Sequence, residues 1–369
     1  MFPRARKSLT LLWVRPCRWS RAGERPAAGE RTAVRPGLGR GTAPGSSPTS
    51  DPRAWTGGEG MPIRIAVQRA SWDVMHHKLV TPEFISMLER VCPGTQIKPV
   101  SDEDIIDRAL DWFDAVFFPG SVGSVMAVEK YGDGYRATVR DFVRRGGCYI
   151  GVCGGCYVAV RDFPMRQVAR IGAAGALRNP GMLRGALSEM TGLDPAIGRK
   201  TGRAAGPRMA GALVRGRLKT FDLIDARVRT PLFFGDPYFI KNRWSKMVTE
   251  GAMLRVQVTV SGGDHPLIEG HQGEKFWSAY SGGPIIESIG HAASALAYYG
   301  SSDTVPEAEG KIAVAYARHG DGSVVVSGPD YFLPLQSAPG ISIAEGMEPS
   351  VPWLTERILS THENCRRAG

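Results

Sequence analysis

Three of the six cysteines in this 369-residue chain lie close together, at Cys148, Cys153 and Cys156. The last two have the Cys-x-x-Cys spacing of redox dithiols and of zinc sites. A redox dithiol is expected in a thioredoxin-like context, whereas this motif follows several predicted strand–helix units. A zinc ion prefers four ligands, and the pair supplies two with no second pair in the sequence. We therefore expect no metal and no cofactor.

A nucleophile on a sharp turn accounts for more of these residues. Gly151 and Gly155 flank Cys153 in the pattern Gly-x-nucleophile-x-Gly, in which a buried strand passes into a helix through a strained bend with no room for larger side chains. The start of the helix would lower the pKa of the Cys153 thiol and favour the thiolate. Cys156 falls one helical turn later, where it either packs as a small residue or acts as a resolving thiol.

The same pattern predicts a site for a developing negative charge. The backbone N–H of Gly154 would face an oxyanion formed at the cysteine, and a second donor would come from Ser121 in the segment FPGSVG. Adjacent parallel strands bring their carboxyl ends to one crevice, so these residues should meet there. We take Gly120 and Tyr157 as further candidate binding residues.

Short apolar strands that alternate with amphipathic helices precede and include this motif. They predict an α/β fold, doubly wound around a mostly parallel sheet with helices on both faces. The predicted strands are Ile63–Gln68, TQIKPV (95–100), Asp114–Gly120 and CYIGV (148–152), and the predicted helices are Thr81–Val91, SDEDIIDRAL (101–110) and Tyr135–Gly147.

The chain beyond Thr220 has a different pattern. AMLRVQVTV alternates apolar and polar residues, which is typical of a half-buried antiparallel strand. HGDG, His319–Gly322, lies between two apolar runs and predicts a hairpin. We therefore expect an antiparallel extension of the sheet.

Charge separates three parts of the chain. Residues 1–60 contain 11 Lys/Arg and 4 Asp/Glu, are rich in Gly and Pro, and predict a disordered basic extension. This extension is either an organelle transit peptide or a stretch before the true start at Met61. Residues 161–219 contain 12 Lys/Arg, 3 Asp/Glu and ten Gly, and predict a weakly ordered surface insertion. With Phe163 as its single aromatic residue, the insertion lacks stacking platforms for bases, so we do not expect nucleic-acid binding.

The six scattered cysteines predict a reducing compartment, which is the cytoplasm, or an organelle matrix if residues 1–60 are a transit peptide. No apolar run approaches the roughly 20 residues that span a bilayer, so we expect no membrane association. The sequence carries no signal for the oligomeric state.

Several blocks together resemble a known family. DAVFFPGSVGSV and VRDFVRRGGCYIGVCGGCYVAV, followed by HPLIEG, YSGGPIIE, LAYYG and GKIAVAYARHGDGSVVVSGP, are similar to the class I glutamine amidotransferase-like superfamily, and within it to the biotin–protein ligase N-terminal domain family. The resemblance spans about Ile63 to Pro334, interrupted by the basic insertion, and implies a flavodoxin-like doubly wound sheet. We assign the domain to residues 61–340 and expect a C-terminal helix and tail over residues 341–369. The resemblance does not imply biotin ligation, because no segment after the final strand is long enough for a ligase domain.

The sequence departs from the family where a base is needed. Class I amidotransferases activate their cysteine with Ser-Gly-Pro-His-x-Glu, whereas this chain has SGPDYF, with Asp330 and Phe332 at the two positions. A carboxylate there would raise the thiol pKa by like-charge repulsion and is too weak a base to deprotonate it. Asp330 remains a candidate binding residue. His77, which follows the first strand, is the best replacement base that the sequence offers.

Two functions stay open. The domain either binds a small ligand at the crevice after losing glutaminase chemistry, or is a cysteine-dependent hydrolase or amidase of a small amide or ester that uses a different base.

Overall fold

The computed structural model describes residues 62–70, 81–92, 94–120, 122–162, 218–229, 254–280, 282–301, 305–329, 354–355 and 357–359. Its strands are β1 (Arg64–Arg69), β2 (Gln96–Ser101), β3 (Ala115–Phe118), β4 (Cys148–Val152), β5 (Val160–Asp162), β6 (Ile224–Arg229), β7 (Leu254–Val260), β8 (Lys275–Tyr280), β9 (Ile285–Ile289), β10 (Ala293–Tyr299), β11 (Ile312–His319) and β12 (Gly322–Ser327). Its α-helices are α1 (Thr81–Val91), α2 (Asp102–Ile106), α3 (Val122–Tyr131), α4 (Asp133–Arg144) and α5 (Gly154–Ala159).

Five parallel strands form the centre of the sheet in the order β2-β1-β3-β4-β12. This is the flavodoxin-like order, in which the chain winds outward in both directions from β1 and β3. The predicted α/β fold class is confirmed. Because the five strands are parallel, the segments that follow them lie at one edge of the sheet, which we call the carboxyl edge.

Alternating side chains of these strands build a core on each face of the sheet. Phe118 and Tyr149 face one core, which α2 to α5 cover. Phe117 and Ile150 face the other, where Phe84 of α1 and the helical residues Leu354, Ile358 and Leu359 pack. Burial on both sides explains why the central strands are almost continuously apolar.

Local sequence accounts for several helix boundaries. Helix α1 spans Thr81–Val91 as predicted. Helix α2 starts at a capping box in which the Ser101 hydroxyl accepts from the Asp104 N–H while the Asp104 carboxylate accepts from the Ser101 N–H. The prediction that this helix runs to residue 110 was wrong, since Arg108 adopts a left-handed conformation with φ 67° and a 3-10 turn follows at Ala109–Trp112.

The antiparallel extension is present and continues the sheet from β12 through β11, β10 and β7 to β8. Strand β7 contains the alternating run predicted for it and pairs antiparallel with β8 and β10. The His319–Gly322 stretch closes the β11–β12 hairpin, with these two residues as register partners.

Helix α3 was not predicted. Its residues Val125, Ala127, Val128 and the polar Ser124 and Glu129 are all buried, so it lacks the one-sided apolar stripe that marks a surface helix.

The limits of the basic insertion also differ from the prediction. Residues 161–162 belong to β5, which pairs with β6, and Leu218 is buried in the core. The remainder of the insertion, residues 163–217, lies outside the described residues, as do residues 1–60 and most of 341–369. Among the described residues, none of the helices has the length and apolarity needed to cross a bilayer.

Candidate functional site

Cys153 lies at the carboxyl edge, in the turn between β4 and α5. Its backbone has φ 50° and ψ −102°, a left-handed conformation that non-glycine residues seldom adopt. The Cys153 N–H donates to the carbonyl of Ser327 at the end of β12 (2.8 Å), and the Tyr157 N–H donates to the Cys153 carbonyl (3.2 Å). Both backbone groups of Cys153 are therefore fixed, one by the neighbouring strand and one by the helix. We call residues 151–155 the Cys153 turn.

Glycines at both sides of Cys153 allow this turn to pack. A Cβ atom on Gly155 would lie 2.1 Å from the carbonyl oxygen of Phe118, at the end of β3. A Cβ atom on Gly151 would lie 2.6 Å from the carbonyl oxygen of Gly155. Since real Cβ contacts of this kind do not occur, larger residues would push α5 away from the sheet.

A second segment, residues 282–284 between β8 and β9, packs directly against the Cys153 turn. The position of a Cβ on Gly283 lies 3.3 Å from the Cys153 Cα and 1.8 Å from the carbonyl oxygen of Gly328. A Cβ on Gly328 would in turn lie 2.0 Å from the Pro284 carbonyl oxygen. The backbone of residues 282–284 is thus in direct contact with the backbone of Cys153 and Gly328. We call residues 282–284 the glycine wall.

Three buried tyrosines hold the glycine wall. Their hydroxyls donate to three successive carbonyls, from Tyr157 of α5 to Gly282 (3.1 Å), from Tyr280 of β8 to Gly283 (2.8 Å) and from Tyr299 of β10 to Pro284 (3.1 Å). The Tyr280 and Tyr299 rings meet edge to face with centroids 6.1 Å apart. Tyr157, which the sequence suggested as a candidate binding residue, is fully buried, and its hydroxyl donates to the glycine wall. No sequence signal connects the three tyrosines, because they meet only in the folded chain.

The other cysteines near the turn are in different environments from Cys153. Cys153 belongs to the apolar cluster on one face of the sheet, whereas Cys156 belongs to the cluster on the opposite face. Burial raises the pKa of the Cys148 thiol to about 12 and raises the pKa of the Cys156 thiol still further. Cys148 and Cys156 are both buried and form no disulfide bond. Cys156 is thus a packing residue and is unsuited to resolve a disulfide.

The described histidines have other surroundings. His319 is the partner of Gly322, at the end of β12 opposite to Ser327 and the Cys153 turn. The Nδ1 atom of His265 accepts the Leu267 N–H (3.2 Å), and its ring contacts Tyr316 edge to face. His271 pairs with Glu274 (3.0 Å), and His291 is exposed in the turn before β10.

A buried polar network lies at the carboxyl edge beside β1, β2 and β3. One carboxylate oxygen of Asp102 accepts from the Gln68 amide (2.7 Å) and from the Tyr135 hydroxyl (2.8 Å). Its other oxygen is buried and has no hydrogen-bond partner within the described part of the chain. Burial raises the pKa of Asp102 to about 6, against the lowering effect of both hydrogen bonds. The burial of Asp102 was not predicted from the sequence.

The Asp102 network reaches the loop after β3. The Gln68 amide oxygen lies 2.9 Å from the Ser124 hydroxyl, which also lies 2.9 Å from the Pro119 carbonyl oxygen. Asp102 therefore helps to orient Gln68, and Gln68 and Ser124 hold the loop that contains Gly120.

The structure locates part of the predicted site. Gly154 begins α5 and is buried, and Gly120 is half-buried after β3. Ser121, His77 and Asp330 lie outside the described residues. Helix α5 has only six residues, so its dipole contributes less to the cysteine than a full helix would. No group of three or more potential metal ligands occurs within the described ranges.

Comparisons with known proteins give structural neighbours only: no family model and no curated sequence matches this chain. PurLQS from Thermotoga maritima is 14% identical, with coverage of 82% of this chain and 99% of that one, and a TM-score of 0.44. A glutamine amidotransferase crystal structure is 15% identical, with coverage of 81% and 98% and a TM-score of 0.39. A β-galactosidase from Bacillus circulans sp. alkalophilus is 13% identical, with coverage of 73% and 30% and a TM-score of 0.34. Since these scores lie below 0.5, the fold class rests on the strand order described above.

Proposed function

We propose that residues 61–340 form a class I glutamine amidotransferase-like domain of the biotin–protein ligase N-terminal type, which binds a small ligand beside Cys153 without hydrolysing glutamine. The observation that carries the proposal is the left-handed backbone of Cys153 at the carboxyl edge of a flavodoxin-like sheet. Backbone strain of this kind costs of order 1–3 kcal/mol and is concentrated at functional sites.

The loss of glutaminase chemistry follows from the missing base. Asp330 and Phe332 occupy the positions where the resemblance calls for histidine and glutamate. Deprotonation of a thiol by a carboxylate is unfavourable at neutral pH, because the carboxylic acid is the much stronger acid.

The surroundings of Cys153 favour a small ligand without charge. Cys153 itself is only 6% exposed, so a bulky group has little access. Among the described residues, its neighbours Gly154, Gly283 and Gly328 are buried and offer backbone atoms. Backbone N–H groups donate hydrogen bonds to carbonyl oxygens. A small amide or a similar carbonyl compound therefore matches the backbone atoms beside Cys153.

Alkylation of Cys153 tests the proposal. Iodoacetamide labelling, followed by peptide mass spectrometry from pH 6 to pH 10, should modify Cys153 no faster than a free model thiol such as glutathione. In parallel, L-glutamine should release no more ammonia with the wild-type chain than with Cys153→Ala. Millimolar acetamide should slow the labelling by occupying the crevice. A thiol that titrates below about pH 7, together with ammonia release that Cys153→Ala abolishes, would reject the proposal.

The alternative is a cysteine-dependent hydrolase or amidase. The position of Gly154 directly after Cys153, at the start of α5, favours it, because the backbone N–H that follows a nucleophile on such a turn is the usual donor to an oxyanion. The thiolate would attack the carbonyl carbon, the alcohol or amine would leave with a proton, and water would hydrolyse the thioester. His77 is the candidate base. With 4-nitrophenyl acetate this function gives a burst of 4-nitrophenol and an acetyl group on Cys153. Absence of both, with an intact fold, counts against it.

A further inference from the structure

The hydroxyl of Ser124 in α3 has two acceptors and a single hydrogen. Its oxygen lies 2.9 Å from the Gln68 amide oxygen and 2.9 Å from the Pro119 carbonyl oxygen. Because a serine hydroxyl has one O–H, it donates fully to one of these acceptors at a time. The acceptors belong to different segments, the end of β1 and the loop after β3. The direction of this O–H therefore decides whether Ser124 donates to the loop.

The Gln68 amide sets the direction of that O–H. Gln68 is fully buried, and its amide nitrogen lies 2.7 Å from a carboxylate oxygen of Asp102. An ionised carboxylate only accepts hydrogen bonds, so the Gln68 nitrogen must face Asp102 and its oxygen must face Ser124. A buried amide oxygen requires a donor, and Ser124 is the group that supplies it. The Pro119 carbonyl then does not receive the Ser124 hydrogen.

Protonation of Asp102 reverses the donors along this chain of groups. The oxygen that faces Gln68 also accepts from Tyr135, whereas the other oxygen is buried and has no partner within the described residues. A proton on the first oxygen finds an acceptor if the Gln68 amide rotates by half a turn and presents its oxygen. The Gln68 nitrogen then donates to Ser124. Ser124 in turn donates to Pro119, and each group from Asp102 to Pro119 has a partner.

We propose that Asp102, Gln68 and Ser124 form a proton-controlled relay, which ties the loop after β3 to α3 when Asp102 is protonated and releases it when Asp102 ionises. The proton comes from solvent and adds to the carboxylate, and no other covalent bond changes. We call these three residues the Asp102 relay. The inference goes beyond the proposed function, because the relay requires neither a ligand nor an activated thiol.

The loop that the relay holds begins beside the cysteine. The carbonyl oxygen of Phe118, the last residue of β3, lies 2.1 Å from the Cβ position of Gly155 in the Cys153 turn. Pro119 is the next residue, so a hydrogen bond to its carbonyl restrains the chain directly after this contact. Acid pH should therefore make one border of the Cys153 crevice more rigid.

The surroundings of Asp102 give the relay a defined pH range. Burial raises the pKa of Asp102 to about 6, against the lowering effect of the hydrogen bonds from Gln68 and Tyr135. Two charged groups also act on it: Glu103 of its own helix raises the pKa, and Lys130 of α3 lowers it. The relay should therefore change state between about pH 5 and about pH 7.

The Pro119 carbonyl reports the state of the relay. Its ¹³C resonance is read through the Gly120 N–H in an HNCO spectrum of isotope-labelled protein, and it moves downfield when the oxygen accepts a hydrogen bond. In the wild type it should move downfield from about pH 7.5 to about pH 4.5, with a midpoint near pH 6. Asp102→Asn and Ser124→Ala should each abolish this shift. Thr138→Ala, which removes an exposed hydroxyl hydrogen bond of α4 (3.1 Å), should leave it unchanged.

The variants separate the relay from simpler effects. Ser124→Ala leaves the Asp102 carboxyl able to titrate, so a shift that persists there would come from its charge through space and would overturn the relay. A shift that persists in Asp102→Asn would assign the proton to another group, and a wild-type resonance that stays constant would remove the Pro119 hydrogen bond; either result rejects the inference. If Asp102→Asn fails to fold, Ser124→Ala still decides. Cys153 labelling has no part in this readout, so failure of the relay and failure of the proposed function are distinguishable.

Discussion

Replacement of Asp102 by asparagine should change how the stability of this protein depends on pH. Asp102 is fully buried, and its pKa rises from 3.8 to about 6, mainly because burial disfavours the charged form. The hydrogen bonds from Gln68 and Tyr135 and the Lys130 charge lower the pKa, while Glu103 raises it. Asparagine keeps the size of the side chain and the oxygen that accepts both hydrogen bonds, but it cannot ionise.

The sign and size follow from the two pKa values. A carboxyl group whose pKa is higher in the folded state stabilises the fold below its unfolded pKa and loses that contribution as pH rises through the folded pKa. The shift of about 2 pKa units corresponds to about 3 kcal/mol, of which about 2 kcal/mol falls between pH 4 and pH 7. The free energy of unfolding of Asp102→Asn, relative to wild type, should therefore increase by about 2 kcal/mol over that range.

Urea unfolding of both proteins at a series of pH values from 4 to 7.5 measures this difference. The other carboxyl groups cancel in the subtraction, and the unpaired amide of asparagine adds only a pH-independent offset. Asp111→Asn provides a flat control, because hydrogen bonds from Arg145 and Arg108 hold the pKa of Asp111 below 3.8 despite burial, which raises it. The contribution of Asp111 to stability is therefore lost only below about pH 4, and its difference from wild type should stay nearly constant over this series. A difference for Asp102→Asn that stays flat within about 0.5 kcal/mol, or that grows towards acid pH, would refute the reasoning.

Three further outcomes are expected. Gly155→Ala should lower the melting temperature severely or prevent folding, whereas Gly262→Ala, whose added methyl would meet nothing within 4 Å, should melt close to wild type; equal melting temperatures would contradict the packing of the Cys153 turn. Native-state labelling with iodoacetamide should modify Cys153 and leave Cys156 unmodified until urea unfolds the chain, as peptide mapping would show; early labelling of Cys156 would contradict its burial. Ser101→Ala should reduce the free energy of unfolding by about 1 kcal/mol through loss of the helix cap, and an unchanged urea midpoint would contradict that role.

Features encoded within a few residues could be predicted from the sequence. Helix α1 has its apolar stripe and a proline in its first turn, and the glycines around Cys153 mark a bend between strand and helix. Sequence patterns within a single segment did not predict the features whose residues are completely buried. Helix α3 has no polar face to reveal its period, and the acidic residues around Asp102 give no local sign that its carboxylate is buried.

The candidate site depends on contacts across the chain, and the sequence offers no pattern for those. Tyr157 and Gly282 are far apart in sequence, yet their hydrogen bond sets the geometry beside Cys153. The Asp102 network likewise joins residues from three segments, through Gln68 and Ser124. Such contacts follow from the order of the strands in the sheet. The sequence predicted the fold class but not which individual strands pair.

The pairing of β4 with β12 has a consequence for synthesis of the chain. Cys148 of β4 is the register partner of Ser323 of β12, and the Cys153 N–H binds the Ser327 carbonyl. During translation β4 leaves the ribosome long before β12, and its open side exposes unpaired N–H and C=O groups for that whole interval. Closure of so long a loop is slow, and an exposed strand edge is a template for aggregation. Nascent chains stalled before residue 322 should therefore depend on a chaperone that shields this edge.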